Sequence, residues 1–139
     1  SKDSADHIIQ LDLSDEFIFV KIDARLIMQV IINIVNNAIK YTLPGSKICI
    51  RGIKKDGKAQ ISVADNGPGI SDEVKPHIFE MFYTGNNTIA DSHRSLGLGL
   101  ALCRSIIEAH GGTLVLTDNI PRGCIFTFTL PLSEVILNE

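Results

Sequence analysis

Apolar residues recur along this chain with two periods. Over residues 24–41 they fall at Leu26, Ile27, Val30, Ile31, Ile34 and Ala38. That three-to-four spacing gives a helix one buried stripe. Asp23 precedes the run as a candidate N-cap, and Thr42-Leu43-Pro44-Gly45 stops it. A second helix is predicted over residues 100–110, closed by the C-cap signal Gly111-Gly112. Between the helices the period shortens towards two. Residues 7–13 alternate loosely and 17–21 are apolar, so two short strands are predicted on either side of Ser14-Asp15-Glu16. Residues 47–54 and 58–65 predict a hairpin around Lys55-Asp56-Gly57. Residues 113–117 and 124–130 predict another, around Asn119-Ile120-Pro121-Arg122-Gly123. Ser71 is set to cap a short helix that Pro76 disturbs. This order of elements predicts an α/β two-layer sandwich, a mixed sheet with helices packed on one face. No repeat or internal boundary interrupts residues 1–139, which read as a single domain.

Composition narrows the class. At 45% hydrophobic and 21% charged residues, the chain has enough apolar material for a core and is not a disordered sequence. A net charge of -3 argues against a nucleic-acid-binding surface. The three cysteines, Cys49, Cys103 and Cys124, are odd in number and lack C-x-x-C spacing, so they read as buried thiols of a reducing compartment. No apolar run approaches the roughly 18 residues of a membrane span, and no direct membrane contact is expected of this domain. The chain begins with Ser and reads as a piece of a longer protein.

Three constellations carry chemistry. On the first helix Asn33 and Asn37 are four apart and share a face, with Lys40 and Tyr41 three and four residues beyond Asn37. These polar residues could simply be the solvent side. Against that, Asn is a poor mid-helix residue, yet Asn33, Asn36 and Asn37 fall within five positions. An amide oxygen is a hard, neutral ligand that Mg²⁺ accepts beside phosphates and waters, and a lysine ammonium suits a phosphate. Second, Asp65-Asn66-Gly67-Pro68-Gly69 puts a carboxylate at a strand end before two glycines. It is an ordinary turn composition, or a place where the backbone approaches a flat ligand and Asp65 accepts from an exocyclic amine. Third, Gly97-Leu98-Gly99-Leu100 ends a long polar loop over residues 85–99 and opens the second helix, an arrangement that favours an anion. It is neither a Walker A loop nor a dinucleotide fingerprint following a strand.

Together these motifs resemble the ATP-binding catalytic domain of sensor histidine kinases. Residues 33–42 are similar to that family's N box, and residues 65–69 to its first glycine box. Ile78-Phe79-Glu80-Met81-Phe82-Tyr83 is similar to its F box, and residues 97–100 to its second glycine box. His110-Gly111-Gly112 and the ending at residues 126–131 also match, so the resemblance runs from about Leu11 to Leu132. Residues 23–30 and the run from Lys40 to Ser46 look most like potassium-responsive, Kdp-type kinases.

The resemblance implies a Bergerat ATP-binding fold, shared with gyrase, a heat-shock chaperone and a mismatch-repair ATPase, with a flexible ATP lid. It implies ATP and Mg²⁺ as cofactors, Asn37 as the metal ligand, Asn33 beside the phosphates, Lys40 as a phosphate contact and Tyr41 against the nucleotide. Asp65 would read adenine, with Gly67, Gly69 and Ile70 giving it access and Phe82 and Tyr83 belonging to the same site. Gly97, Leu98, Gly99 and Leu100 would hinge the lid and face the phosphates, and Cys124 would line the adenine floor.

Two positions depart from the family pattern. Thr84 stands where many members carry Arg, and Cys124 where Thr or Ser is common. Within the superfamily, hydrolases and serine kinases place a Glu general base four residues before the metal-binding Asn. Here that position is Asn33, which has no useful basicity, and this fits a kinase whose acceptor is a histidine. None of His7, His77, His93 and His110 lies in the His-Glu or His-Asp helical context of an acceptor; His110 ends a helix, where a cation suits the dipole, and all four read as structural or surface residues. The expectation is therefore a catalytic domain with no resident catalytic acceptor. It would serve a dimerisation and phosphoacceptor domain of its parent, upstream of a response regulator, as the cytoplasmic part of a membrane-bound sensor kinase. The rival expectation is a nucleotide-binding pseudokinase of the same fold.

Overall fold

The computed structural model describes residues 7–81 and 94–133, and of residues 94–98 the backbone alone. Its elements run β1 (Ile8–Leu13), α1 (Ala24–Lys40), β2 (Lys47–Lys55), β3 (Lys58–Asp65), α2 (Arg94–Ala109), β4 (Leu114–Asp118) and β5 (Cys124–Pro131). The strands form one sheet in the order β1-β2-β3-β5-β4. Only the β1–β2 pairing is parallel, so the sheet is mixed, as the residue pattern predicts.

Alternation on the strands sets the layers. Cys124, Phe126, Phe128 and Leu130 are buried on β5, with half-buried residues between them. Register carries that face across the sheet, opposing Val63 to Phe126 and Ala59 to Leu130 on β3, and Leu114 to Phe128 on β4. α1 packs over β2 and β3, α2 over β4 and β5, and the two helices touch. Val30 and Ile34 of α1, and Cys103 and Ile107 of α2, meet the sheet with no exposed surface. Each such side chain contributes about 1.5–3 kcal/mol by leaving water. The two-layer α/β sandwich therefore stands.

Local signals set most boundaries. The Asp23 carboxylate accepts from the N–H groups of Arg25 and Leu26, capping α1. Asp56 and Gly57 take positive φ between β2 and β3, which fits the tight hairpin read from Lys55-Asp56-Gly57.

Three expectations change. Residues 17–21 are not a strand of the sheet. Ile18, Val20 and Ile22 do alternate against the core, but Phe17 and Phe19 point outward and, among the described residues, no neighbouring strand supplies a ladder. A bond from Ser133 N–H to the Phe19 carbonyl ties the segment instead. The stretch after Ser71 forms only a 3-10 turn, Lys75–His77, because Pro76 offers no N–H to extend it. Finally, α2 starts at Arg94, not Leu100. A helix anchored by Leu100, Cys103 and Ile107 gains one backbone bond per residue as it propagates, which outweighs the poor helix propensity of Gly97 and Gly99.

Candidate functional site

α1 turns two of its amides, Asn33 and Asn37, inward. Asn37 is buried at 5% exposure, and among the described residues its Oδ1 has no hydrogen-bond partner. The solvent-side reading of these asparagines therefore fails for Asn37, although Asn36 is exposed. One turn earlier, half-buried Asn33 donates from Nδ2 to the Cys103 sulfur of α2 at 3.7 Å. Gly99 faces the same amide, for a Cβ there would lie 3.9 Å from Asn33 Cγ. Lys40 and Tyr41 are exposed where the helix ends. Burial also pushes the Cys103 thiol up from its ordinary range, against the Asn33 bond that lowers it. The thiol thus stays protonated and neutral beside the amide.

The first glycine turn closes on its own carboxylate. Asp65 is 8% exposed, and its Oδ1 accepts from the N–H of Gly67 at 2.9 Å and of Cys124 at 3.3 Å. Asn66 points the other way and accepts from Lys47 N–H, fixing the start of β2. Gly69 takes φ +82 against the Gly123 carbonyl, a conformation that requires glycine. Half-buried Ile70 follows, its backbone acting to lower the Cys124 thiol. Burial, followed by the Asp65 and Asp118 carboxylates, pushes that thiol up to about 11.

Thr42 joins the two parts. Its hydroxyl donates to the Ala38 carbonyl at 2.7 Å and accepts from His7 Nε2 at 2.8 Å. Its methyl then lies against Gly67, where a Cβ would come within 2.6 Å of it. Residues 41–46, 66–68 and Arg122 line a cavity of about 530 Å³ beside this contact.

Some predicted residues fall elsewhere. Gly97, Leu98, Gly99 and Leu100 lie inside the opening turns of α2 and not ahead of it, so they do not form a pre-helical anion loop. The Leu100 side chain is 2% exposed and belongs to the core. Phe82, Tyr83, Thr84 and the stretch 85–93 lie outside the described residues. His110 is a structural residue at the end of α2. Its Nδ1 donates to the Ile106 carbonyl, and its Nε2 accepts the Asp23 N–H at 3.1 Å. Among the described residues no group of His, Cys, Asp or Glu side chains could hold a metal ion.

The sequence did not single out Cys103, Asn119 or Arg122 as neighbours of these motifs. Cys103 lies four residues after Gly99, which puts both on one face of α2, but its contact with Asn33 spans 70 positions. Only packing brings such pairs together.

Comparison with known proteins follows the same outline. The sequence profile of the family described as histidine kinase-, DNA gyrase B-, and HSP90-like ATPase matches residues 22–134. The chain is 41% identical over 94% of its length to the sensor protein KdpD of Clostridium acetobutylicum, of which it covers 15%. It is 39% identical over 90% of its length to the adaptive-response sensory kinase SasA of Microcystis aeruginosa, covering 32% of that protein. It thus spans less than a third of these relatives. Among solved structures, the catalytic domain of histidine kinase ThkA superposes with a TM-score of 0.75 at 34% identity, covering 90% of this chain and 78% of that one. Full-length ShkA, solved in complex with AMPPNP, superposes with a TM-score of 0.78 at 26% identity, covering 94% of this chain and 27% of that one.

Proposed function

The chain belongs to the family of histidine kinase-, DNA gyrase B- and HSP90-like ATPases, and from that premise we propose that it binds Mg-ATP and donates the γ-phosphate to a histidine on a separate dimerisation domain of its parent sensor kinase. The observation that carries this reading is the orphaned Asn37 Oδ1. A buried carbonyl oxygen without a donor is costly and calls for a partner. A hard, neutral oxygen fits Mg²⁺, which takes few protein ligands and completes its shell with phosphate oxygens and water. Asn37 would hold the ion, and the ion bound there would offset phosphate charge.

The remaining roles follow from chemistry. Asp65 accepts from the exocyclic amine of adenine, and Gly67 and Gly69 let the base reach it beside Ile70. Lys40 meets a phosphate and Tyr41 packs on the nucleotide. Gly97 and Gly99 let the phosphates approach α2 beside Leu98 and Leu100. Cys124, protonated at neutral pH, lines the floor as a weak donor. Phe82 and Tyr83 complete the pocket from beyond Met81. Asn33 cannot take a proton from water, so the domain protects ATP from hydrolysis until a neutral histidine is presented as nucleophile.

Residues 1–139 act in this reading as one catalytic domain, with the acceptor helices elsewhere in the parent and a response regulator downstream. Its place is the cytoplasmic side of a membrane-bound sensor kinase. The likeness to KdpD motivates a role in potassium sensing. The test is transfer of radiolabelled γ-phosphate, with and without the parent's helices added in trans. Acid-labile label on a histidine of the added helices is expected, and little phosphate release from the domain alone. Label on neither piece, with ATP bound in a calorimetric titration, would support the pseudokinase reading that Thr84 raises. Failure to bind ATP at millimolar concentration would defeat both.

A further inference from the structure

The turn that joins β4 to β5 grips the first glycine turn from behind. Asn119 Nδ2–H donates to the Asp65 carbonyl at 2.8 Å, and Arg122 Nε–H donates to the Gly67 carbonyl at 2.9 Å. Asn119 is itself fixed, for its N–H donates to the Gly123 carbonyl and its Oδ1 accepts the Ile120 N–H. Gly123 packs so closely on the Asp65 carbonyl that a Cβ there would overlap it. Both backbone carbonyls that bracket residues 65–67 are therefore tied to one turn. The side chain is tied as well, because Asp65 Oδ1 accepts from Gly67 N–H and Cys124 N–H. Among the described residues nothing donates to Oδ2.

We propose that Asn119 and Arg122 are positioning residues that set the purine specificity of the Asp65 site. This rests on the reading of Asp65 as the group that accepts a base's exocyclic amine. An amine at that position of the base meets a carboxylate oxygen as donor to acceptor. A carbonyl oxygen at the same position sets two acceptors face to face and leaves both unpaired. The penalty lasts only while Oδ2 is held still. If the 65–67 turn can shift, a water enters between base and carboxylate and bridges either base. The two side-chain bonds from the hairpin prevent that shift. Neither is needed by the core, since Arg122 is exposed and Asn119 half-buried.

The experiment is a calorimetric titration of ATP and of GTP, each with Mg²⁺, on the whole chain and on Arg122→Ala, Arg122→Lys and Asn119→Ala, beside thermal melts. Losing one hydrogen bond is expected to weaken ATP binding about three- to tenfold while GTP binding changes by less than about twofold, so the preference falls. Arg122→Lys, which keeps a donor, should recover part of it. A hairpin that only closes the fold would lower the melting temperature and leave the ATP-to-GTP ratio unchanged, and that result overturns the proposal. Should Asn119→Ala fail to fold, the exposed Arg122 pair decides alone. A wild-type chain that binds ATP and GTP alike overturns the reading of Asp65 and the proposal with it. A wild-type preference that every variant shares overturns the positioning role alone.

Discussion

The turn at Asp65 and the inner face of α1 meet where the Thr42 methyl lies against Gly67, yet they are built in opposite ways. At the turn the protein satisfies itself. One carboxylate oxygen accepts two N–H groups, two backbone carbonyls are tied to the β4–β5 hairpin, and glycines sit where side chains would collide. On α1 the protein leaves capacity open. Among the described residues, Asn37 Oδ1 is buried without a donor, and Asn33 leans on a thiol sulfur, a weak acceptor. Recognition of a flat base gains from a rigid edge that cannot adapt to the wrong partner. A phosphate or metal group supplies its own charge, and a polar atom kept waiting for it is a functional compromise with stability.

The contrast breaks first at the turn. Gly123→Ala asks for a methyl that overlaps the Asp65 carbonyl at φ +109, so it is expected to cost about 3 kcal/mol or more. Urea unfolding would measure it, and a cost below about 1 kcal/mol would mean the turn has slack. Asn37→Ala tests the other end. Removing an oxygen that has no partner should leave the ligand-free stability within about 1 kcal/mol, while the affinity for Mg-ATP falls about a hundredfold. A large loss of ligand-free stability would show that Asn37 holds the fold and does not await a ligand.

Cys124 sharpens the comparison through pH. Its thiol is neutral when protonated, and the fold raises its pKa from 9.0 to about 11. The folded state therefore binds that proton more tightly than the unfolded chain does. The resulting stability is fully present below pH of about 9 and is lost as pH climbs through about 11. A rise from 9.0 to about 11 sets a ceiling of about 3 kcal/mol. The stability difference between wild type and Cys124→Ala should shrink across that window, and a flat difference would place the thiol outside the buried turn. The smallest effect belongs to α2. A Cβ at Gly99 would make only ordinary contact with Asn33 at 3.9 Å, so Gly99→Ala should raise ligand-free stability by about 0.5–1 kcal/mol through helix propensity. A fall in melting temperature would reveal that α1 and α2 are packed there as tightly as the turn.

The motifs were legible in the sequence because each is local. The Asp23 cap, the α1 stripe and the Asp56-Gly57 hairpin depend on residues within a few positions of one another. The second helix was placed six residues too late, because two glycines look like a break to local propensity while an anchored helix propagates through them. Residues 17–21 looked like a strand because a short apolar run reports burial, whereas a strand also needs a neighbour that an apolar run cannot reveal. His110 read as a structural residue, but its bond from the Asp23 N–H could not be read locally, because the two lie 87 residues apart.

The sequence by itself determined the family, the layered α/β fold and which residue types stand in each motif, since periodicity and short-range turn chemistry act along the chain. Only the tertiary structure decided that Asn37 Oδ1 is stranded, that Cys103 holds Asn33 and that Asn119 and Arg122 clamp residues 65–67. These are pairings across 54 to 70 positions. They are set by how two helices and a hairpin pack on one sheet, and at Asn37 burial strips away the water that would otherwise satisfy the oxygen.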